Sequence, residues 1–295
     1  MALTLTSHRT ETEFLEVAGE FLARREAEHN LIFGICSAIR LSPEVYVDDP
    51  PQFLTVADGA GRVVAASLQT PPQNVVVSQV DDPGAIDMLV DALVADAPPG
   101  VLAPAEVAAR FLSRWTARTG EVAHLEVAER IFRLERVVAP RRPAAGSWRL
   151  ATPGDRELIA EWVVAFATEA MPHQPPIADA LGVADRWIAR INRLLYLWED
   201  EGRVVSVVGA GGETPNGIRI GPVYTPPDAR GHGYATSLTA AASADQLERG
   251  RRFCFLFTDL ANPTSNAIYR AIGYEPVCNM DQYRFEQPTS TTIVE

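Results

Sequence analysis

Arg230-Gly231-His232-Gly233-Tyr234-Ala235 has the residue types of an anion site. Its two glycines admit dihedrals and a closeness of approach that a Cβ forbids. They leave main-chain N–H groups uncovered next to an arginine, and the segment that follows, TSLTAAASA, opens a helix. Free amides, the positive end of a helix and an adjacent cation together suit a diphosphate. A second stretch runs Asn262-Pro263-Thr264-Ser265-Asn266-Ala267-Ile268-Tyr269. Asn262 fits an N-cap and Pro263 the first helical position. Tyr269 falls two turns later on roughly the same face. Beside Ile268 and Ile272 it can be a core residue or a proton donor.

Around these residues the second half of the chain reads as alternating elements. A short strand at 148–151 leads to a helix begun by Pro153-Gly154-Asp155, with apolar positions Leu158, Ile159, Trp162, Val163 and Phe166 at helical spacing. AMPHQPP, 170–176, breaks it, and a second helix covers about 177–192. Two strands with a turn follow, then a strand at 217–225, the loop, and a helix over 232–249 closed by Gly250 in a left-handed C-cap. A strand at 252–260, a helix from Asn262 to Gly273, and the pieces EPV and QYRFE as two last strands complete the half. The order predicts an α/β fold with a central mixed sheet flanked by helices.

Residues 53–67, FLTVADGAGRVVAAS, are echoed by 194–208, LLYLWEDEGRVVSVV. Each is strand, acidic glycine-bearing turn, Gly-Arg-Val-Val and strand, with a third strand after it and helical sequence before it. That agreement of order points to an internal duplication. ERVVAPRRPAAGSW, 135–148, has linker composition, so the chain divides near Pro143 into domains at 1–140 and 148–287, a linker at 141–147 and a tail at 288–295.

Three kinds of phosphate loop compete for RGHGYA. A P-loop requires Gly-Lys-Ser/Thr, which is missing. A dinucleotide fingerprint requires a third glycine where Thr236 stands. The remaining pattern, Arg/Gln-x-x-Gly-x-Gly/Ala, is matched at every fixed position by Arg230, Gly233 and Ala235. It resembles the pyrophosphate loop of the GNAT acetyltransferase superfamily. Asn262 to Tyr274 resembles the motif that follows in that family, Asn-x-x-(Ala/Ser)-x-x-x-Tyr-x-x-x-Gly-(Phe/Tyr), and it comes after one helix and one strand as it should. The resemblance covers about residues 147–287.

The resemblance implies acetyl-CoA as co-substrate, lying where the strand 217–225 diverges from the strand 252–260. It implies that the backbone of Val223, Tyr224 and Thr225 meets the pantetheine arm and offers an N–H to an oxyanion. The diphosphate would rest on Arg230, Gly231, His232, Gly233, Tyr234 and Ala235, with Asn262 and Ser265 nearby and Tyr269 as general acid. A base is harder to find, because GIRIGPVYT carries no carboxylate. Glu169, His173 and Asp259 are the candidates near the acceptor, with a water chain as the favoured route for the proton.

The first half lacks both motifs. Asp81-Asp82-Pro83-Gly84 stands where Arg-Gly-x-Gly would, and APAEVAARFLSRW carries Phe111 and Trp115 in place of the tyrosine. Two aspartates at a helix N-terminus repel a diphosphate. Residues 1–140 therefore read as a degenerate copy, in a tandem arrangement that the family also shows.

The chain has 295 residues, 47% of them hydrophobic, and a net charge of −12. That charge disfavours a nucleic-acid surface. Cys36, Cys254 and Cys278 are too few and too far apart for a disulfide framework or a zinc cluster. No signal peptide or membrane span is apparent, so the expected location is cytoplasmic. The expected function is N-acetylation of a primary amine, a small molecule in preference to a protein, through a ternary complex. A non-catalytic acyl-CoA-binding module is the alternative. Phosphotransfer is disfavoured because no lysine is near the loop. The oligomeric state, monomer or homodimer, is left open.

Overall fold

The computed structural model describes residues 2–46, 49–170 and 176–287. Its first half runs β1 (Thr4–His8), α1 (Glu11–Ala23), α2 (Asn30–Leu41), β2 (Gln52–Ala57), β3 (Val63–Gln69), β4 (Val75–Val77), α3 (Gly84–Leu93), β5 (Gly100–Pro104), α4 (Ala105–Thr119) and β6 (Val122–Leu134). Its second half runs β7 (Ser147–Leu150), α5 (Arg156–Ala170), α6 (Ala180–Ile188), β8 (Leu194–Asp200), β9 (Arg203–Glu213), β10 (Gly217–Tyr224), α7 (Tyr234–Glu248), β11 (Phe253–Asp259), α8 (Pro263–Ala271) and β12 (Glu275–Glu286). Leaving aside single turns of 3-10 helix, the two halves repeat one order of elements. The repeat extends to the hairpins that suggested it. Gly61 and Gly202, each before Arg-Val-Val, both turn the chain with positive φ, at 78° and 75°.

Among the described residues two compact units form, the first comprising those up to 131 with 259–261 and 277–287, the second 132–258 with 262–276. In the first, β1 to β4 pair antiparallel in sequence order, β4 and β5 pair parallel, and β5 pairs antiparallel with β12. In the second, β7 to β10 pair antiparallel and β10 pairs parallel with β11. The strands bury both faces. In the first unit Phe53, Ala66, Leu68 and Val76 pack with α1 and α2, while Leu54, Val56, Ala65 and Val75 pack with α3 and α4. In the second, Leu195, Leu197 and Val207 pack with α5 and α6, and Tyr196, Trp198, Val208, Ile218 and Leu256 pack with α7 and α8. Neighbouring residues face opposite ways because the side-chain period of a strand is two.

These units differ from the division expected near Pro143. EPV and QYRFE are one continuous strand, β12, and its pairing with β5 groups the chain's end with the first unit. Phe285 stacks on Trp115 at 4.6 Å between ring centroids. The stretch 135–146 has no helix or strand, yet it is anchored to the second unit. Val138 N–H donates to the Ile272 carbonyl, Ala144 N–H to Ser237 Oγ, and Trp198 Nε1 to the Ala145 carbonyl. Val137 and Ala144 also pack on that core. Two helices are shorter than expected: α6 stops at Ile188, and α7 starts at Tyr234. Gly250 takes its left-handed C-cap at φ 95°. The expected tail at 288–295 lies outside the described residues. Among the described residues no helix is long and apolar enough to cross a membrane.

Candidate functional site

β10 pairs with β9 along its whole length, from Ile218 opposite Glu213 to Tyr224 opposite Val207. With β11 it pairs only from Gly217 to Arg219. The two parallel strands therefore part after Arg219, and among the described residues no strand pairs with that backbone edge of β10 from Ile220 to Tyr224. A bulge lies in this segment, where the register shifts between Ile220 and Val223. Gly221 there has φ 143°, which a side chain would resist. The bulge adds one residue and so reverses which face the later side chains meet. Ile218 and Ile220 belong to the core beneath α7, whereas Tyr224 belongs to the core beneath α5 and α6.

The chain then reaches the glycine loop and α7. Gly231 and Gly233 have φ 84° and 82°, the left-handed region that glycine enters without penalty. Gly233 is the N-cap of α7, and no side chain caps this helix. Ser237 N–H makes the first intrahelical bond, to Gly233 O. The earlier N–H groups at an α-helix start have no partner inside the helix. Among the described residues none of the backbone N–H groups from Gly231 to Thr236 donates to the protein. Such a run of oriented N–H groups at a positive helix end holds an anion.

The side chains of the loop do several different things. Arg230 Nε donates to the Thr225 carbonyl at 2.9 Å, and its Nη2 meets Glu169 Oε2 at 2.6 Å. The guanidinium also lies 6.0 Å from the centroid of the Tyr224 ring. Tyr224 donates its hydroxyl to Glu169 Oε1 at 3.3 Å, and burial with the nearby Glu169 charge raises its pKa. His232 Nδ1 lies 2.9 Å from the Arg230 carbonyl, with its ring stacked on Tyr234. Tyr234 points away from the N–H groups and donates its hydroxyl to Asp200 at 2.5 Å, so only its backbone remains for the loop. Thr225 Oγ1 is 2.8 Å from Ser206 Oγ.

The second motif forms the helix its residues dictate. Asn262 Oδ1 accepts from Ser265 N–H at 3.0 Å, with Pro263 in the first turn. Tyr269 is 7% exposed and sits in the core with Phe132 and Tyr274, its ring centroids 6.4 and 6.0 Å from theirs. Burial pushes its hydroxyl up to about 12, a rise opposed by its hydrogen bond with Ser265. It is therefore a core residue whose proton is retained at any physiological pH. Asp259 ends β11, accepts from Ala261 N–H at 2.7 Å, and is grouped by its contacts with the first unit. His173 lies outside the described residues. Among those described, no group of three or more histidines, cysteines or acids could hold a metal ion.

One feature has no counterpart among the expected residues. A small apolar hollow of about 10 Å³, room for about one water, lies against Pro222 and Tyr224 and is walled by Ile159, Trp162 and Phe166 of α5 and by Trp187 of α6. The helical spacing of Trp162 and Phe166 indicates a buried face but carries no sign that the face leaves a hollow. The nearest signal is Gly221-Pro222 within a strand, a pair that marks a bulge.

In the first unit the corresponding turn is occupied by its own side chains. Asp82 Oδ1 accepts from Gly84 N–H at 2.9 Å at the start of α3, and Asp81 pairs with Arg24 and Arg25 at 3.1 and 2.8 Å.

Residues 157–274 match the Acetyltransferase (GNAT) family. No curated protein has a matching sequence. The fold recurs among solved structures over nearly the whole chain. A Drosophila protein superposes with a TM-score of 0.67 at 16% identity, covering 96% of this chain and 98% of that one. A GCN5-related N-acetyltransferase from Sphaerobacter thermophilus gives 0.59 at 19% identity, covering 95% of each chain. A tandem GNAT protein from the clavulanic acid biosynthesis pathway gives 0.56 at 14% identity, covering 97% of this chain and 98% of its own.

Proposed function

Residues 157–274 constitute a domain of the acetyltransferase (GNAT) family, and from that premise we propose that the protein transfers an acetyl group from acetyl-CoA to a primary amine of a small molecule. The observation that carries this reading is the conjunction, on one strand and the helix after it, of an open backbone edge and an uncapped run of N–H groups. A long thin co-substrate that ends in a diphosphate fits that pair. Its amide groups can be met as a strand would be, and its charge falls at the helix N-terminus.

The residues divide the work as follows. Backbone N–H groups from Gly231 to Ala235 hold the diphosphate, assisted by Arg230. The main chain of Val223, Tyr224 and Thr225 orients the arm. Acetyl-CoA, when bound, supplies the activated thioester. An N–H of Val223 or Tyr224 stabilises negative charge developing on the acyl oxygen. Tyr269, protonated up to about pH 12, offers its hydrogen to the departing sulfur. A free thiol has a pKa of roughly 8.5, so full transfer from such a weak acid is uphill. The hydroxyl contributes as a hydrogen-bond donor to the developing thiolate. The acceptor's proton leaves through water. Residues 1–131 act as a degenerate copy whose anion site is filled by Asp82.

A second reading, an acyl-CoA-binding module without turnover, is favoured by the depth of Tyr269 and by the lack of a carboxylate on β10. Release of free thiol from acetyl-CoA over a panel of primary amines separates the two. Amine-dependent thiol release supports the enzyme. Tight acetyl-CoA binding with no release from any amine supports the module.

A further inference from the structure

We infer that Arg141 and Arg142 bind the ribose 3′-phosphate of acyl-CoA and so set a preference for the 3′-phosphorylated form of that co-substrate. This rests on the reading that the loop from Gly231 to Ala235 holds the diphosphate.

The stretch 135–146 has neither helix nor strand, yet its course over the second unit is fixed. It starts at the end of α8, where Val138 N–H donates to the Ile272 carbonyl and the Arg136 carbonyl oxygen lies 2.7 Å from where a Cβ of Gly273 would be. It then reaches the glycine loop. The Arg142 carbonyl oxygen lies 3.8 Å from where a Cβ of Gly233 would be. Ala144 N–H next donates to Ser237 Oγ at 2.9 Å, in the first turn of α7. The backbone of Arg141 and Arg142 is thereby held beside the uncapped N-terminus of α7. Pro140 and Pro143 flank the pair and fix φ on either side. Little backbone freedom is left to lose when a ligand binds.

Charge singles out these two arginines. The chain has a net charge of −12, and the other charged side chains about the loop have partners. Arg230 pairs with Glu169 at 2.6 Å, Arg203 with Asp228 at 3.5 Å, and Asp200 accepts from the Tyr234 hydroxyl. Arg141 and Arg142 are exposed, and among the described residues neither guanidinium meets an acid, a carbonyl or a ring. Two adjacent unpaired cations repel each other until an anion joins them. Here that anion has to come from outside the chain. Acyl-CoA carries one charged group besides its diphosphate, the 3′-phosphate on the adjoining ribose, with a charge of about −1.5 to −2. A diphosphate seated on the N–H groups brings that monoester within reach of arginine side chains that start beside Gly233. The planar guanidinium matches phosphate with two parallel N–H donors, which a point charge does not.

Calorimetric titration with acetyl-CoA and with acetyl-dephospho-CoA, which lacks only the 3′-phosphate, tests this without any turnover. The wild-type protein should bind acetyl-CoA about tenfold more tightly, the scale of hydrogen bonds to a charged group. Arg141→Gln combined with Arg142→Gln should bring acetyl-CoA down to the affinity of the dephospho form and leave the dephospho form unchanged. Arg136→Gln, an exposed arginine of the same stretch placed at Gly273, should leave both affinities as they are. Equal binding of the two ligands by the wild type would overturn the inference while leaving the proposed function intact. So would a double variant that weakens both ligands alike, since the arginines would then act on the diphosphate. Binding of neither ligand contradicts the proposed function and this inference with it.

Discussion

Arg230 and Tyr269 carry the two motifs, and the structure gives them unequal standing. Arg230 is at the mouth of an N–H cradle, and its ion pair to Glu169 is one that a ligand can exchange. Tyr269 is enclosed by Phe132 and Tyr274, and burial holds its hydroxyl up to about 12. A donor with that pKa does not titrate in the working range. Tyr269→Phe should therefore lower kcat by about a hundredfold, the lower end for loss of a positioned proton donor, with KM for acetyl-CoA little changed. The pH–rate profile of the wild type should show no alkaline limb below about pH 11 that vanishes in the variant. A variant with full kcat would reduce Tyr269 to its packing role.

At the scale of elements, the helix starts and turns were legible because each rests on local chemistry. Asn262 caps α8, Gly250 closes α7, and the Gly-Arg-Val-Val hairpins turn at Gly61 and Gly202. What could not be read was set by distant partners. The bulge at Gly221-Pro222 appears only when β10 is laid against β9, and the Glu169–Arg230 pair joins α5 to a loop far along the chain. His29, just before α2, is another such case. Its Nε2 accepts from Gln79 N–H at 3.0 Å and its Nδ1 lies 2.9 Å from the Leu22 carbonyl, which fixes a neutral ring. Burial lowers its pKa to about 4. The unfolded chain therefore binds a proton that the folded chain refuses between about pH 6.5 and 4. The stabilisation from the neutral ring is complete above pH 6.5 and is lost as pH falls to about 4, roughly 3 kcal/mol in all. His29→Gln should flatten this acid limb in urea titrations of stability against pH. An unchanged limb would assign it to other groups.

The scale of the whole molecule is where the linear reading diverged most. A boundary near Pro143 follows from prolines and small residues, but those residues govern only local structure. Val137 and Ala144 still pack on the second unit's core, and β12 pairs with β5. Sequence order does not reveal a strand whose partner lies about 180 residues earlier, since pairing is fixed by burial of residues such as Phe285 against Trp115. A fragment ending at residue 140 would lack β12 and expose that edge. It should show no cooperative unfolding transition by circular dichroism. Phe285→Ala in the full chain should cost about 3–5 kcal/mol, with amide exchange accelerated in β5 and α4. A fragment 1–140 that melts cooperatively would contradict this division of the chain.

The central claim is that the loop from Gly231 to Ala235 holds the diphosphate of acyl-CoA, and its most direct test is a thermal shift with acetyl-CoA. At about one hundred times Kd, binding to the native state alone contributes about 2.7 kcal/mol, so the melting temperature should rise by about 5–10 °C. Gly233→Glu places a carboxylate and a Cβ at a residue with φ 82°, and it should abolish the rise while leaving a folded protein. No rise in the wild type with millimolar acetyl-CoA, or an equal rise in Gly233→Glu, would contradict the account.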